Sequence, residues 1–259
     1  MSATVSTPKG RPTEFSTAER TPLLNWLIFT GATIFATVLL WHYGLVSRML
    51  ASDHTHISSL IACLYIGASI HCLWRTLAIS REDEKERRAE RIIEAAGKTP
   101  VFLEDGTIQG QGRLPESLTA QHIRDLVQKA RAQEAQRLDQ TLLLRGLADR
   151  MRGSNRFGAF ASDTLMKLGL LGTIIGFIIM LGPVAGLDTS DKATMKASMG
   201  LMSDGMAVAM YTTLAGLVGS ILSRVQYYML DTATSGLFAR VLRLTETRVV
   251  PALEHNHDR

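Results

Sequence analysis

The chain has 259 residues, 46% of them hydrophobic and 20% charged, with a formal net charge of +4. The length fits one or two domains, but a mean hydropathy of only +0.10 conceals a segregated chain, with apolar residues bunched into four blocks and the charges lying between them. This excludes a simple soluble globule and a disordered chain, and the mixing of bases with acids offers no nucleic-acid groove.

Residues 1–22 form a polar leader, read as an N-terminal cytoplasmic segment. The first block covers residues 23–46 (LLNWLIFTGATIFATVLLWHYGLV) and contains no Asp, Glu, Lys or Arg. The leader is long, the block outruns a signal core, and no small-residue cleavage site follows, so it reads as an anchor. The second block covers residues 57–79, with Arg75 near its end. It also holds Cys63 and Cys72. On a helix these two lie about 13 Å apart by rise, too far to bridge.

Residues 80–98 (SREDEKERRAERIIEAAGK) set Glu against Lys and Arg at three- and four-residue spacings. That pattern predicts a solvated helix continuing out of the second span, ended by Gly97 and Thr99–Pro100. Residues 101–118 are turn-rich and read as a small irregular element. Ser117 or Thr119 is placed to cap a second helix, expected over residues 120–150 with a break at Gly153–Ser154.

The third block covers residues 165–187, with Lys167 at its start, and the fourth covers residues 197–222, with Asp204 in its first part. Residues 226–249 continue the fourth helix, with Pro251 near its end. About 20 apolar residues cross a bilayer as one helix. The expected fold is therefore all-α and polytopic: transmembrane helices 1 and 2 in residues 23–79, a cytoplasmic helical domain in 80–164, transmembrane helices 3 and 4 in 165–222, and a cytoplasmic C-terminal helix and tail in 223–259. Loop 47–56 carries only Arg48, and in loop 188–197 Lys192 and Lys196 are offset by Asp188 and Asp191. Arg75, Arg81, Lys167 and Arg224 hug the opposite span ends, which places both termini in the cytoplasm. Trp41, Tyr43 and Trp74 near span ends read as interface anchors.

In the third block Gly169, Gly172 and Gly176 share one face, with Thr173 beside them. In the fourth, Gly205, Ala209, Thr212, Gly216, Gly219 and Ser223 form a continuous stripe of small residues, with Thr213 next to it. On spacing alone this reads as tight helix packing. The second reading is that the hydroxyls of Thr173, Thr212 and Thr213 line an ion path, with Asp204 at its outer mouth. Asp204 reads equally as a water-facing acid at a helix start. His71, inside the second span, reads as a histidine bonded to a backbone carbonyl, with a proton relay as the alternative. His54 and His56 offer too few ligands for a metal. No nucleophile–base set or phosphate loop is visible, so an enzyme is not expected.

The segments GLLGTIIGF and AMYTTLAGLVGSI, within residues 165–230, resemble the MotA/TolQ/ExbB proton-channel family. Four spans with a large loop after the second resemble MotA, whereas the wording of the GT-xx-G motif is closer to TolQ and ExbB. The resemblance implies a ring, usually of five such subunits, in a bacterial inner membrane. The ring surrounds a dimer of a single-span MotB/TolR/ExbD-like partner that supplies a membrane aspartate, and ion flow moves one component against the other. Thr173 and Thr213 match the family's third- and fourth-span threonines. Pro183 occupies the place of a functional proline in MotA-like proteins. The glutamate that ExbB and TolQ carry five residues before the fourth-span threonine is Val208 here, and MotA lacks it too. No cofactor is implied; the transported ion is H⁺ by family default, and the same hydroxyls serve Na⁺. In MotA-like stators a charged segment such as residues 81–91 touches the driven machine.

Elementary chemistry also asks for a partner. Moving a proton across about 30 Å of hydrocarbon needs titratable groups or water. The third span has no acid and the fourth only Asp204. A threonine hydroxyl passes on a hydrogen bond but holds no charge near neutral pH, so the carboxylate must come from another subunit. The competing reading is a non-conducting membrane scaffold. A secondary transporter is disfavoured by the lack of an inverted repeat and of midplane acids.

Overall fold

The structure, a computed structural model, describes residues 22–52, 55–97, 100–102, 107–110, 112–132, 139–183 and 192–257. The polar leader apart from Pro22, His54, the end of the third block (184–187), and Asp188 and Asp191 lie outside the described residues. The elements in order are α1 (Pro22–His42), α2 (Leu45–Ser52), α3 (Ile57–Ala95), β1 (Thr107–Ile108), β2 (Gly112–Arg113), α4 (Leu118–Ala132), α5 (Thr141–Arg152), α6 (Arg156–Leu181), α7 (Lys192–Leu244) and α8 (Val250–His257). Four helices are long and apolar enough to cross a membrane, and the chain is all-α.

Several boundaries differ from the sequence reading for local reasons. The first block is not one unbroken helix to residue 46. Gly44 takes φ +73°, a left-handed conformation that ends α1 and that side chains resist, and α2 starts after it. In contrast α3 runs unbroken for 39 residues out of the apolar block and into the charged one. It stops just before Gly97, whose φ is +91°. The irregular element is a small antiparallel hairpin, Thr107 opposite Arg113 and Ile108 opposite Gly112. Phe102, Ile108 and Leu114 bury themselves with Ile93, Ile123, Leu126 and Leu253, so this segment is held by a core of its own.

The single helix expected over residues 120–150 is two helices. Asp139 accepts the Thr141 N–H at 2.9 Å, and this local side-chain bond starts α5 afresh instead of continuing α4. The cap on α4 is Ser117, whose hydroxyl accepts the Ala120 N–H at 3.2 Å. Two carboxylates of α3 complete it: Glu82 accepts the Leu118 N–H at 2.7 Å and Glu86 the Thr119 N–H at 2.9 Å. The first turn of α4, whose N–H groups have no partner within the helix, is thus anchored on α3. Glu86 is 2% exposed. Burial pushes its carboxyl above the usual range, the bond from Thr119 pulls it back in part, and the charge of Glu82 adds to the rise.

Gly153–Asn155 form a 3-10 turn at the predicted break, and α6 already begins at Arg156, ahead of its apolar block. α7 is one helix of 53 residues. It does not run on to Pro251 in regular form. Residues Thr245–Val249 make a π-helical turn before α8. Proline has no N–H to offer the carbonyl four residues back and crowds it, and a widened turn relieves that contact.

α7 is the central post. α6 packs along one side of it, α3 along another, and α1 touches both α3 and α7. The polar extensions converge at one end of the bundle. Arg240 of α7 pairs with Asp83 of α3 at 3.0 Å, Arg75 donates to the Met151 carbonyl at 3.0 Å, and Asn155 donates to Thr234 at 3.2 Å. The extensions of α3, α5 and α7 therefore lie on one side of the membrane. Large apolar side chains remain exposed along the spans, Phe35, Ile70, Ile178 and Met210 among them, as expected of surfaces that face lipid or other membrane chains.

Candidate ion pathway

The α6–α7 seam is built from the small residues singled out in the sequence. A Cβ placed on Gly176 would lie 2.6 Å from the Ala209 nitrogen and 2.7 Å from the Gly205 oxygen; one on Gly205 would lie 2.5 Å from the Met180 nitrogen. On Gly216 it would meet the Gly169 Cα at 2.6 Å. Backbone rests on backbone, so any side chain here would push the helices apart. Gly172 leaves the notch that Thr212 fills. Thr212 is wholly buried, with its hydroxyl donating to the Val208 carbonyl at 2.8 Å within its own helix.

Thr173 and Thr213 meet across this seam, hydroxyl to hydroxyl. The Thr213 hydroxyl also lies 2.8 Å from the Ala209 carbonyl, and the Thr173 hydroxyl 3.3 Å from the Gly169 carbonyl. Each hydroxyl has one proton to give and two lone pairs to accept with. The pair is therefore a relay of hydrogen bonds with acceptor capacity to spare. Thr213 is exposed and Thr173 half-buried, so the pair opens at the edge of the seam.

The other site candidates are placed apart from this pair. Asp204 is exposed; nine residues along α7 from Thr213 amounts to about 13 Å of rise and half a turn of rotation. Pro183 is half-buried in the turn after α6. Val208 is 2% exposed and supplies the carbonyl that holds Thr212. Gly219 is roomier than the rest of the stripe, its nearest neighbours being the Leu165 methyls at 3.8 Å. Ser223 is buried, and its hydroxyl has no partner among the described residues.

Sequence reasoning did not anticipate a second seam, between α3 and α7. His71 does not bond a carbonyl; its Nδ1 lies 2.8 Å from the Tyr227 hydroxyl, which also reaches the Ala68 carbonyl at 3.2 Å. Ser69 donates to Gln226 at 2.9 Å, and Gln226 donates onward to Thr30 of α1 at 3.3 Å. The Tyr227 ring fills the space that Gly158 leaves on α6. Polar residues within apolar runs were the signal, but the partners lie more than 150 residues apart in sequence. Among the described residues no group of three or more His, Cys, Asp or Glu is placed to hold a metal.

The family model for MotA/TolQ/ExbB proton channels matches residues 109–241, just over half of the chain. The chain belongs to the MotA/TolQ/ExbB family. The match starts at the hairpin, well before the third span, so the likeness is not confined to the two motif segments within residues 165–230. No curated protein and no solved structure matches the chain. Members of this family are channel proteins that work with a small partner. The Thr173–Thr213 pair lies within the matched region.

Proposed function

We propose that this chain is the ring-forming subunit of an ion-motive-force-driven motor or stator. It forms a proton channel together with a single-span MotB/TolR/ExbD-like partner that supplies a membrane aspartate. The observation that carries this reading is the Thr173–Thr213 hydroxyl pair, open at the edge of the glycine-lined seam between α6 and α7. The pair passes a hydrogen bond but holds no charge, so it needs a carboxylate brought alongside. Neutralising that carboxylate by a proton removes the cost of a charge in a low-dielectric site, which biases the interface between two arrangements and turns ion flow into motion. In this reading the chain is a homopentamer in a bacterial inner membrane. Both termini and the charged extensions face the cytoplasm, Asp204 stands toward the outer mouth, and Pro183 takes part in the conformational step.

The test is a proton-leak assay in cells expressing the chain with its single-span partner, following cytoplasmic pH after an acid pulse. Thr213→Val and the partner's Asp→Asn should each abolish the leak while the complex still assembles. The second reading, a non-conducting scaffold, draws on the bonds these hydroxyls make to carbonyls of their own helices. It predicts no leak for either ion, and a repeat of the assay with sodium then discriminates the two.

A further inference from the structure

A cleft of roughly 610 Å³ opens between the beginning of α6 and the middle of α7. Three arginines from both sides of it line the cleft: Arg152 and Arg156 from the α5–α6 junction, and Arg224 from α7. None of the three makes an ion pair among the described residues. The contrast with the other arginine-lined cleft, between the α3 and α7 extensions, is informative. There Arg87 and Arg240 share Asp83, and Arg243 lies 3.3 Å from Glu90. Three guanidiniums without an ion pair face one space, which its two carboxylates, Asp149 and Asp231, balance only in part.

The level of the cleft identifies the anion. Arg224 is the first charge on α7 after the uncharged run of residues 205–223, so it stands where the hydrocarbon ends. Tyr228, which lines the cleft beside it, is 72% exposed, and tyrosine is a residue type enriched at the headgroup layer. Below Arg224 the cleft descends past Arg156 to Arg152, within the reach of long arginine side chains that stretch toward the interface. Asp149 and Asp231 also line it, and Asn155 donates to Asp231 at 3.3 Å. Three arginines against two aspartates leave one positive charge in excess, which one phosphodiester of a singly charged lipid balances and a zwitterionic lipid does not.

We infer that this cleft is a binding site for an anionic glycerophospholipid of the leaflet on the side of the polar extensions, its phosphate held by Arg152, Arg156 and Arg224 and its acyl chains lying on the exposed apolar face above. The site is separate from the threonine pair, and it stands whichever ion the channel carries.

The test uses the full-length chain in mixed micelles containing phosphatidylglycerol, phosphatidylethanolamine and phosphatidylcholine, with retained lipid read by native mass spectrometry. Wild type should retain phosphatidylglycerol over phosphatidylcholine by roughly tenfold, the scale of attraction of a few basic side chains near a lipid surface. The triple variant Arg152→Gln, Arg156→Gln, Arg224→Gln should lose the preference, and Arg87→Gln with Arg243→Gln in the other cleft should keep it. If the triple variant does not fold by circular dichroism, the single variant Arg224→Gln carries the test with a reduced preference. Equal retention of all three lipids by wild type, or an unchanged preference in the arginine variants, overturns the proposal. So does full competition by soluble glycerol phosphate, which would mark a site for a free phosphate ester, and so does retention of phosphatidylethanolamine equal to that of phosphatidylglycerol.

Discussion

α7 meets two neighbours in two different ways. Against α6 it offers glycine, alanine and threonine, and the helices touch backbone to backbone. Against α3 it offers Gln226 and Tyr227, which reach across to Ser69 and His71. In lipid there is little hydrophobic gain from bringing helices together, so association depends on close packing and on interhelical hydrogen bonds. The chain uses the first against α6 and the second against α3, whose Ser69 and His71 lie within the second apolar block. The α6 seam tolerates almost no change in volume. The α3 seam is fixed by which polar groups find partners.

The sharpest way to break this contrast is volume. Gly176→Val and Gly205→Val should each cost about 3 kcal/mol or more, at the upper end for overpacking, because the obstructing atoms are backbone. Thermal unfolding in detergent should show a large loss of stability. Gly219→Ala, with 3.8 Å of clearance, should leave stability nearly unchanged; an equal loss there would mean that the stripe acts as a whole and not through these close approaches.

On the α3 seam the same measurement should give smaller numbers. Tyr227→Phe removes the bonds to His71 and Ala68 while keeping the ring in the Gly158 notch, a loss of about 0.6–1.7 kcal/mol by the range for interhelical bonds in membranes. Removing Ser69 alone leaves the Gln226 oxygen without that donor, so Ser69→Ala should be more harmful than Ser69→Ala combined with Gln226→Leu. An equal cost for the single and double variants would show that this bond contributes nothing. Thr173→Val and Thr213→Val sharpen the comparison from the functional side. They should change stability by less than about 1 kcal/mol yet stop the leak, and a large stability loss with conduction intact would reduce the pair to packing.

A pH-dependent effect is expected outside the membrane, at Glu86. Its carboxyl is raised by burial, so the folded state binds a proton more readily than the unfolded one. Its contribution is favourable below the unfolded value and is lost as pH rises through the folded value. Glu86→Gln keeps an acceptor for the Thr119 N–H and removes the buried charge. The variant should be more stable than wild type at neutral pH, and the gap should close on acidification. Denaturation profiles at several pH values check this, and a pH-independent gap would refute it.

The spans and the glycine stripe were legible because they are local and periodic: the spacing of Gly169, Gly172 and Gly176 puts them on one face whatever lies opposite. The unbroken exit of α3 was legible for the same reason, from its three- and four-residue charge pairs. What was not legible depended on partners far away in sequence. Gln226 and Tyr227 look like ordinary polar residues past the end of a span until Ser69 and His71 are brought to them. Glu86 looks solvated among its charged neighbours until the N-terminus of α4 docks on it. The separate start of α5 was missed because its signal is one local bond, from the Thr141 N–H to the Asp139 carboxylate, beside a run of helix-forming residues. Of the candidate site, Thr173 and Thr213 stand together as their positions on the two helices suggested. Asp204 does not join them, since nine residues of helix turn it to the opposite side.

The continuity of α7 has a mechanical side. At 53 residues and 1.5 Å of rise per residue it is a rod about 80 Å long, more than twice the hydrocarbon thickness. The 22 residues from Ser223 to Leu244 project some 33 Å beyond the span. A tilt of about 10° at the level of Thr213, about 46 Å from Leu244, swings that far end by roughly 8 Å, about one and a half helical turns. Because the hairpin, α4 and α8 share a core with Leu244 and Val249 and with Ala89 and Ile93 of α3, they would move with the lever and the α3 extension together, so a rearrangement confined to two hydroxyls in the membrane would be delivered outside it as the stroke of a whole folded unit.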